Sequence, residues 1–144
     1  MTEPAPVPPG LAQAYAEALY QIHHPAGDML FSMKGFISGK ADLVRHQTYT
    51  VVTAYNPGTE QPNEAVNQAA HRRLVAYVEE HGWTAHPAAG FSPDRSHLEP
   101  SLAIAGLSRL DAAAVGARFQ QAAVFYWDGV QPHLVWCMPD APVP

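Results

Sequence analysis

The residues of this chain best suited to chemistry are two amides, one carboxylate and a few hydroxyls. Asn56 ends an apolar, β-branched run and is followed by Pro57-Gly58; Asn67 stands eleven residues further on; His97, Glu99 and Ser101 come later still. A carboxylate flanked by primary amides can orient a small polar ligand. If the carboxyl is shielded from water, it can also pass a proton as a general acid or base. Thr53 and Tyr55, on the run that Asn56 closes, would add hydroxyl groups to the same corner. Plain structural roles account for these residues equally well. Asn-Pro-Gly is a common turn former in which the Asn side chain bonds local backbone. Asn67 can sit on a solvated helix face, and Glu99 can pair with Arg72, Arg73 or Arg95.

Other chemistries fit less well. His23 and His24 are adjacent and would point to opposite faces of a strand. His71 and His81 are ten residues apart, too far along a helix to share an ion, and there is no HExxH motif. No metal and no cofactor is expected. There is no Gly-x-Ser-x-Gly elbow and no glycine-rich phosphate loop of standard spacing. His97, Glu99 and Ser101 would share one face only if their strand began early, so acyl transfer is a remote reading.

The elements that must position the corner can be read from periodicity. Thr48–Tyr55 is β-rich on both of its faces, as a central strand requires. Asn63 is placed to cap a helix over 64–81, with Val66, Ala70, Leu74, Tyr77 and Val78 as its apolar stripe, Asn67 off that stripe, and Gly82 as its left-handed stop. Before the central strand, residues 11–17 suit a short helix and residues 18–34 a hairpin turning at Pro25-Ala26-Gly27. Residues 35–47 read as a connection with one helical turn at 41–44. After the long helix, residues 83–88 read as a strand pushed to an edge by Pro87, residues 90–99 as a polar loop, and residues 101–107 as a second apolar strand. Ser108 caps another helix with Ala112, Val115, Gly116 and Phe119 on its buried face. Residues 122–127 and 133–138 form a hairpin about Asp128-Gly129. From Thr48 on, the order predicts an α+β fold with a ferredoxin-like split βαβ core. Such a core is an antiparallel sheet with two helices on one face, here extended by the N-terminal hairpin and a C-terminal strand. Residues 1–10, Pro-rich, are expected to form a flexible arm, 11–138 a single domain, and 139–144 a loose tail.

Composition narrows the function. The 144 residues carry a net charge of −5 and no Lys/Arg run, which disfavours nucleic-acid binding through phosphate contacts. Charged residues are only 15% of the chain against 47% hydrophobic. That balance leaves room for surface buried between subunits of a homodimer. Cys137 is the single cysteine, so an internal disulfide and a Cys-rich zinc site are excluded. It lies in an apolar run, and a small buried hydrophobe is the expected role. No signal peptide and no membrane span is read, and the expected location is the cytoplasm.

One resemblance draws these pieces together. Thr53-Ala54-Tyr55-Asn56-Pro57, then Asn67 with Leu74 and Gly82, then Glu99-Pro100-Ser101, then Phe119-Gln120 followed by Ala123-Val-Phe-Tyr-Trp127, resemble the bacterial family catalogued as domain of unknown function 3293. The likeness runs over roughly residues 14–137. It implies a small cytoplasmic bacterial domain without an established reaction. Its polar positions fall on Asn56, Asn67, Glu99 and Gln120, which adds Gln120 to the candidate set. An Arg usual in the family soon after the helix Asn is replaced here by Ala70, so Arg72 or Arg73 would have to serve in its place. Residues 35–47 also depart from the family pattern.

The sequence thus points to a binding or regulatory module for a small polar ligand or a protein partner, with Thr53, Tyr55, Asn56, Asn67, Glu99, Ser101 and Gln120 as ligand-binding candidates. The alternative is a small enzyme using Glu99 as general acid/base, with Asn56 and Asn67 positioning a polar substrate. No residue is assigned a catalytic role beyond that alternative.

Overall fold

The computed structural model describes residues 10–137. The expected Pro-rich arm, apart from Gly10, and the expected tail with Met138 lie outside the described residues. Within them the elements run α1 (Leu11–Glu17), β1 (Leu19–His24), β2 (Gly27–Ser32), β3 (Gly35–Ser38), β4 (Tyr49–Thr53), α2 (Glu64–Glu80), β5 (Ala85–Phe91), β6 (Leu98–Ala105), α3 (Arg109–Arg118), β7 (Ala123–Trp127) and β8 (Pro132–Trp136). The fold is α+β, and the eight strands form one antiparallel sheet in the order β3-β2-β1-β5-β6-β4-β7-β8.

The strand Tyr49–Thr53 lies between β6 and β7, with Val51 opposite Ala103 on one side and Phe125 on the other. Its alternation serves two cores. Val52 and Ala54 face the helices and pack with Leu74 and Val78 of α2, Ala112 and Val115 of α3, and Ile104 and Val124 of the sheet. Tyr49 and Val51 face the other way, toward Tyr20, Ile22, Met29, Phe31, Phe125 and Trp127. This second core exists because the sheet curls strongly. Phe31 on β2 and Trp127 on β7 are five strands apart in the sheet, roughly 24 Å if it were flat. Their rings are 5.1 Å apart, and Tyr20 stacks on Phe125 at 4.4 Å. The sheet is nearly closed into a barrel around these aromatic side chains, with α2 and α3 on its outer face.

Capping follows the sequence. Asn63 accepts the Val66 N–H at 3.0 Å, Ser108 accepts that of Asp111 at 3.1 Å, and Gly82 takes a left-handed φ of 68° after α2. Asp128 closes the last hairpin by accepting the backbone N–H groups of Val130 and Gln131.

Several expectations are corrected. Residues 35–38 form a third strand, β3, rather than part of a connection. Only four residues long and beginning with Gly35, it shows no readable alternation, yet Phe36 packs its ring on Phe31 at 5.4 Å. The helical turn expected at 41–44 is present as a 3-10 turn at Ala41–Leu43, and a second 3-10 turn, Pro57–Thr59, follows Asn56. The strand read at 83–88 is Ala85–Phe91, and it is interior, between β1 and β6. Pro87 is tolerated there because pairing with β1 runs only from Leu19↔Phe91 to Ile22↔Ala88 and stops short of it. The polar loop shrinks to residues 92–97, since β6 starts at Leu98. On α2 the buried line is Asn67, Ala70, Leu74 and Val78, while Val66 is 48% exposed. The helix is therefore rotated from the expected stripe so that a polar residue faces inward.

Candidate functional site

The corner begins with a backbone conformation. Asn56 follows β4 with φ 51° and ψ 53°, in the left-handed region. Asn tolerates that region better than other non-glycine residues, and Pro57 disfavours the right-handed helical alternative for the residue before it. The turn is fixed from α2. Asn67 Oδ1 accepts the Asn56 backbone N–H at 3.0 Å, and Asn67 Nδ2 donates to Asn56 Oδ1 at 3.0 Å. That reciprocal pair leaves the Asn56 Nδ2 group pointing toward β6, where it donates to Glu99 Oε2 at 2.9 Å.

Glu99 stands at the start of β6 on the inner side of the curled sheet. Ser101, two residues along the same strand, is buried, and its hydroxyl donates to the Glu99 carbonyl at 2.9 Å. Thr53 pairs with Ser101 across β4 and β6; its hydroxyl donates to the Pro100 carbonyl at 2.8 Å and accepts the Tyr55 N–H at 3.0 Å. Glu99, Ser101 and Thr53 line one cleft of about 220 Å³, and its remaining wall is largely apolar, with Tyr20, Val51, Phe91 and Phe125. Helix α1 covers it with Leu11, Ala14 and Tyr15, and His97 stands on its rim.

The cleft shapes its own electrostatics. Burial pushes the Glu99 carboxyl above the usual carboxylate range, and the Asn56 hydrogen bond and the nearby His97 pull it partly back. Burial, reinforced by the Glu99 charge, pushes the Tyr15 phenol up to about 12; burial likewise raises Tyr20. Both phenols are neutral donors at ordinary pH. The Tyr20 hydroxyl is buried without a hydrogen-bond partner among the described residues.

The remaining candidates lie elsewhere. The Tyr55 hydroxyl donates to Glu64 Oε1 at 2.6 Å, tying β4 to the first turn of α2 and not to the cleft. Gln120 has its side chain in a separate groove of about 370 Å³ between α2 and α3, with Arg73, Tyr77 and Arg118. Its carbonyl accepts the Gly58 N–H at 2.8 Å from behind the corner. Sequence reasoning missed the cleft residues Tyr15, Tyr20 and Gln121. Gln121 is buried, lines the cleft, and donates to the Tyr55 carbonyl at 3.0 Å and to the Phe119 carbonyl at 3.2 Å. Nothing local in the Gln120-Gln121 pair distinguishes them. The left-handed φ of 57° at Gln120 turns the next side chain inward.

Cys137 is half-buried against the helix-side core, and burial pushes its thiol up to about 11. Among the described residues no group of three His, Cys, Asp or Glu side chains is placed to hold a metal ion, and no helix is long and apolar enough to cross a membrane. Chemically, the corner can offer a carboxylate in a poorly solvated setting beside an aromatic wall.

The family model described as Protein of unknown function (DUF3293) matches residues 52–124, half of the chain, and the chain belongs to that family. The matched span runs from β4 to β7 and includes Thr53, Asn56, Asn67, Glu99, Ser101 and Gln121, whereas Tyr15, Tyr20 and Phe125 lie outside it. No curated protein and no solved structure matches the chain.

Proposed function

We propose that this DUF3293 member is a binding domain that holds one small molecule in the inner cleft, with the Asn67–Asn56–Glu99 chain fixing the polar end. The observation that carries this reading is the convergence of Glu99, Ser101 and Thr53 on an apolar-lined cleft walled by Tyr20, Phe91 and Phe125. A concave apolar site with a few convergent polar groups is the usual form of a small-molecule site. The groove between α2 and α3 is wider but is bordered by exposed Arg73, Glu80 and Arg118, and it lacks buried polar groups of that kind. Residues 11–138 act in this reading as one cytoplasmic domain. A ferredoxin-like split βαβ core is its natural frame, supported by the central order β5-β6-β4-β7 and by α2 and α3 packing on one face.

A second reading keeps the same cleft and makes Glu99 a general acid/base. Its raised pKa favours this, because a carboxyl that titrates nearer neutrality exchanges protons more usefully. The titratable neighbours of Glu99 are two phenols that burial keeps neutral, Tyr15 and Tyr20, and the exposed rim residue His97, and the Ser101 hydroxyl is engaged with the Glu99 carbonyl, so binding comes first.

The test is a panel of small alcohols, amides, amines and carboxylic acids screened by NMR on the full chain. Saturable shifts confined to cleft residues such as Tyr20, Phe125 and Ser101 are expected for at least one class. Shifts elsewhere only, or none at all, would remove the reading.

A further inference from the structure

The polar end of the cleft is charged on one side only. The Glu99 carboxylate accepts from the neutral Asn56 amide, the cleft phenols Tyr15 and Tyr20 are neutral, and the lining has no Lys or Arg, its one basic side chain being His97. Arg95 lies over the Phe91 ring at 4.5 Å from its centroid, and Glu99 forms no salt bridge among the described residues. His97 on the rim is exposed to solvent. A carboxylate removed from water without a counter-charge is costly, and removing that cost favours whatever supplies the missing cation.

The walls say what else the ligand must carry. Tyr20 and Phe125, stacked at 4.4 Å, and Phe91 present aromatic surface beside the carboxylate. Aromatic faces attract cations as well as apolar groups. The volume of about 220 Å³ sets the size. A cavity of about 150 Å³ holds a benzene ring, so the cleft admits one ring, or a branched alkyl group of that bulk, with a short arm.

Resting on the reading of the cleft as a small-molecule site, we propose that its ligand is a small primary amine with a single aromatic or branched-alkyl body. Its ammonium group is placed against the Glu99 carboxylate, and its body lies between Tyr20, Phe91 and Phe125. The ammonium donates to the carboxylate oxygen, and Tyr20, whose hydroxyl is buried without a partner among the described residues, forms part of the wall beside it. Asn56 and Asn67 hold the carboxylate in place and do not touch the ligand.

The experiment titrates the full chain with benzylamine and with benzyl alcohol, which share a body and differ in charge. At neutral pH benzylamine is expected to bind at least about tenfold more tightly, the scale of one charge-assisted hydrogen bond. Its affinity is expected to fall on acidification as Glu99 takes up a proton, beginning above the usual carboxylate range because burial raises its pKa. Benzylamine stays protonated throughout, and benzyl alcohol serves as the control that should not respond. Glu99→Gln is expected to abolish the preference. Should that variant not fold, the pH profile of a His97→Ala chain, which removes the one basic side chain of the lining, decides. Equal binding of the two probes, or an amine preference indifferent to both acidification and Glu99→Gln, overturns the inference and leaves the small-molecule reading standing. Failure of the amine, the alcohol and every member of the wider panel to reach the cleft removes both.

Discussion

Asn67 grips Asn56 twice, accepting its backbone N–H and donating to its side-chain oxygen, each at 3.0 Å. One buried amide on a helix therefore sets both the conformation of a strand-ending turn and the direction in which that turn's own amide points. The remaining donor of Asn56 is left for Glu99, which couples the first turns of α2 to the carboxylate in the cleft.

Removing the grip has a definite cost. Asn67→Ala is expected to destabilise by about 2–3 kcal/mol, because two hydrogen bonds go and the Asn56 N–H loses its partner. Urea denaturation followed by far-UV circular dichroism measures it, and a loss within error of zero would mean that the turn is held by something else.

The turn itself discriminates between small residues. With φ at 51°, Asn56→Ala forces a Cβ into the left-handed region, whereas Asn56→Gly does not. Both lose the contact to Glu99. The Ala variant is expected to be less stable than the Gly variant by about 1 kcal/mol. Equal denaturation midpoints would show that the left-handed conformation relaxes freely.

Glu99 makes stability depend on pH in a stated direction. Its folded pKa lies above the unfolded value because of burial, so the folded chain binds the proton more tightly. Stability therefore falls as pH rises from the unfolded carboxylate pKa of about 4.3 through the folded value. Glu99→Gln removes that dependence and can still accept from Asn56. The variant is expected to gain on the wild type at neutral pH, with the advantage shrinking below about pH 4. Parallel denaturation curves across that range check the sign.

Close packing of α3 on the sheet gives a test away from the cleft. A Cβ at Gly116 would collide with Cys137 Sγ and stand 2.8 Å from Val124 Cγ1. Gly116→Ala is expected to cost about 1–3 kcal/mol as an overpacked core. Adding Cys137→Ala should recover part of it, so that the double variant is more stable than the two single losses sum to.

The curl of the sheet rests on aromatic side chains. Phe31 is fully buried and touches Phe36, Phe125 and Trp127. Phe31→Ala is expected to cost about 3–5 kcal/mol. Trp127, whose indole donates to the Val44 carbonyl at 2.8 Å, should then show red-shifted fluorescence as water reaches it. An unshifted spectrum would mean that β1 and β2 close over β7 without it.

The sequence by itself determined the local structure: the caps at Asn63 and Ser108, the stop at Gly82, the turn at Asp128, and a central strand leading into the turn at Asn56. Those follow from contacts within a few residues, and periodicity and side-chain chemistry report them. It also brought Asn56, Asn67 and Glu99 into one short list. What it left open needed distance. Asn67 looks like a solvated helix residue until the helix is docked and rotated against β4. Gln120 and Gln121 are indistinguishable until a left-handed turn sends one into the cleft and the other into a different groove. The interior place of β5, the short strand β3 and the second core beneath the curl depend on strands far apart in the chain meeting around Phe31, Phe125 and Trp127. Alternation along a strand says which side chains share a face. Only the twist and closure of the whole sheet decide what that face encloses, and therefore that Glu99 looks into a cleft instead of into water.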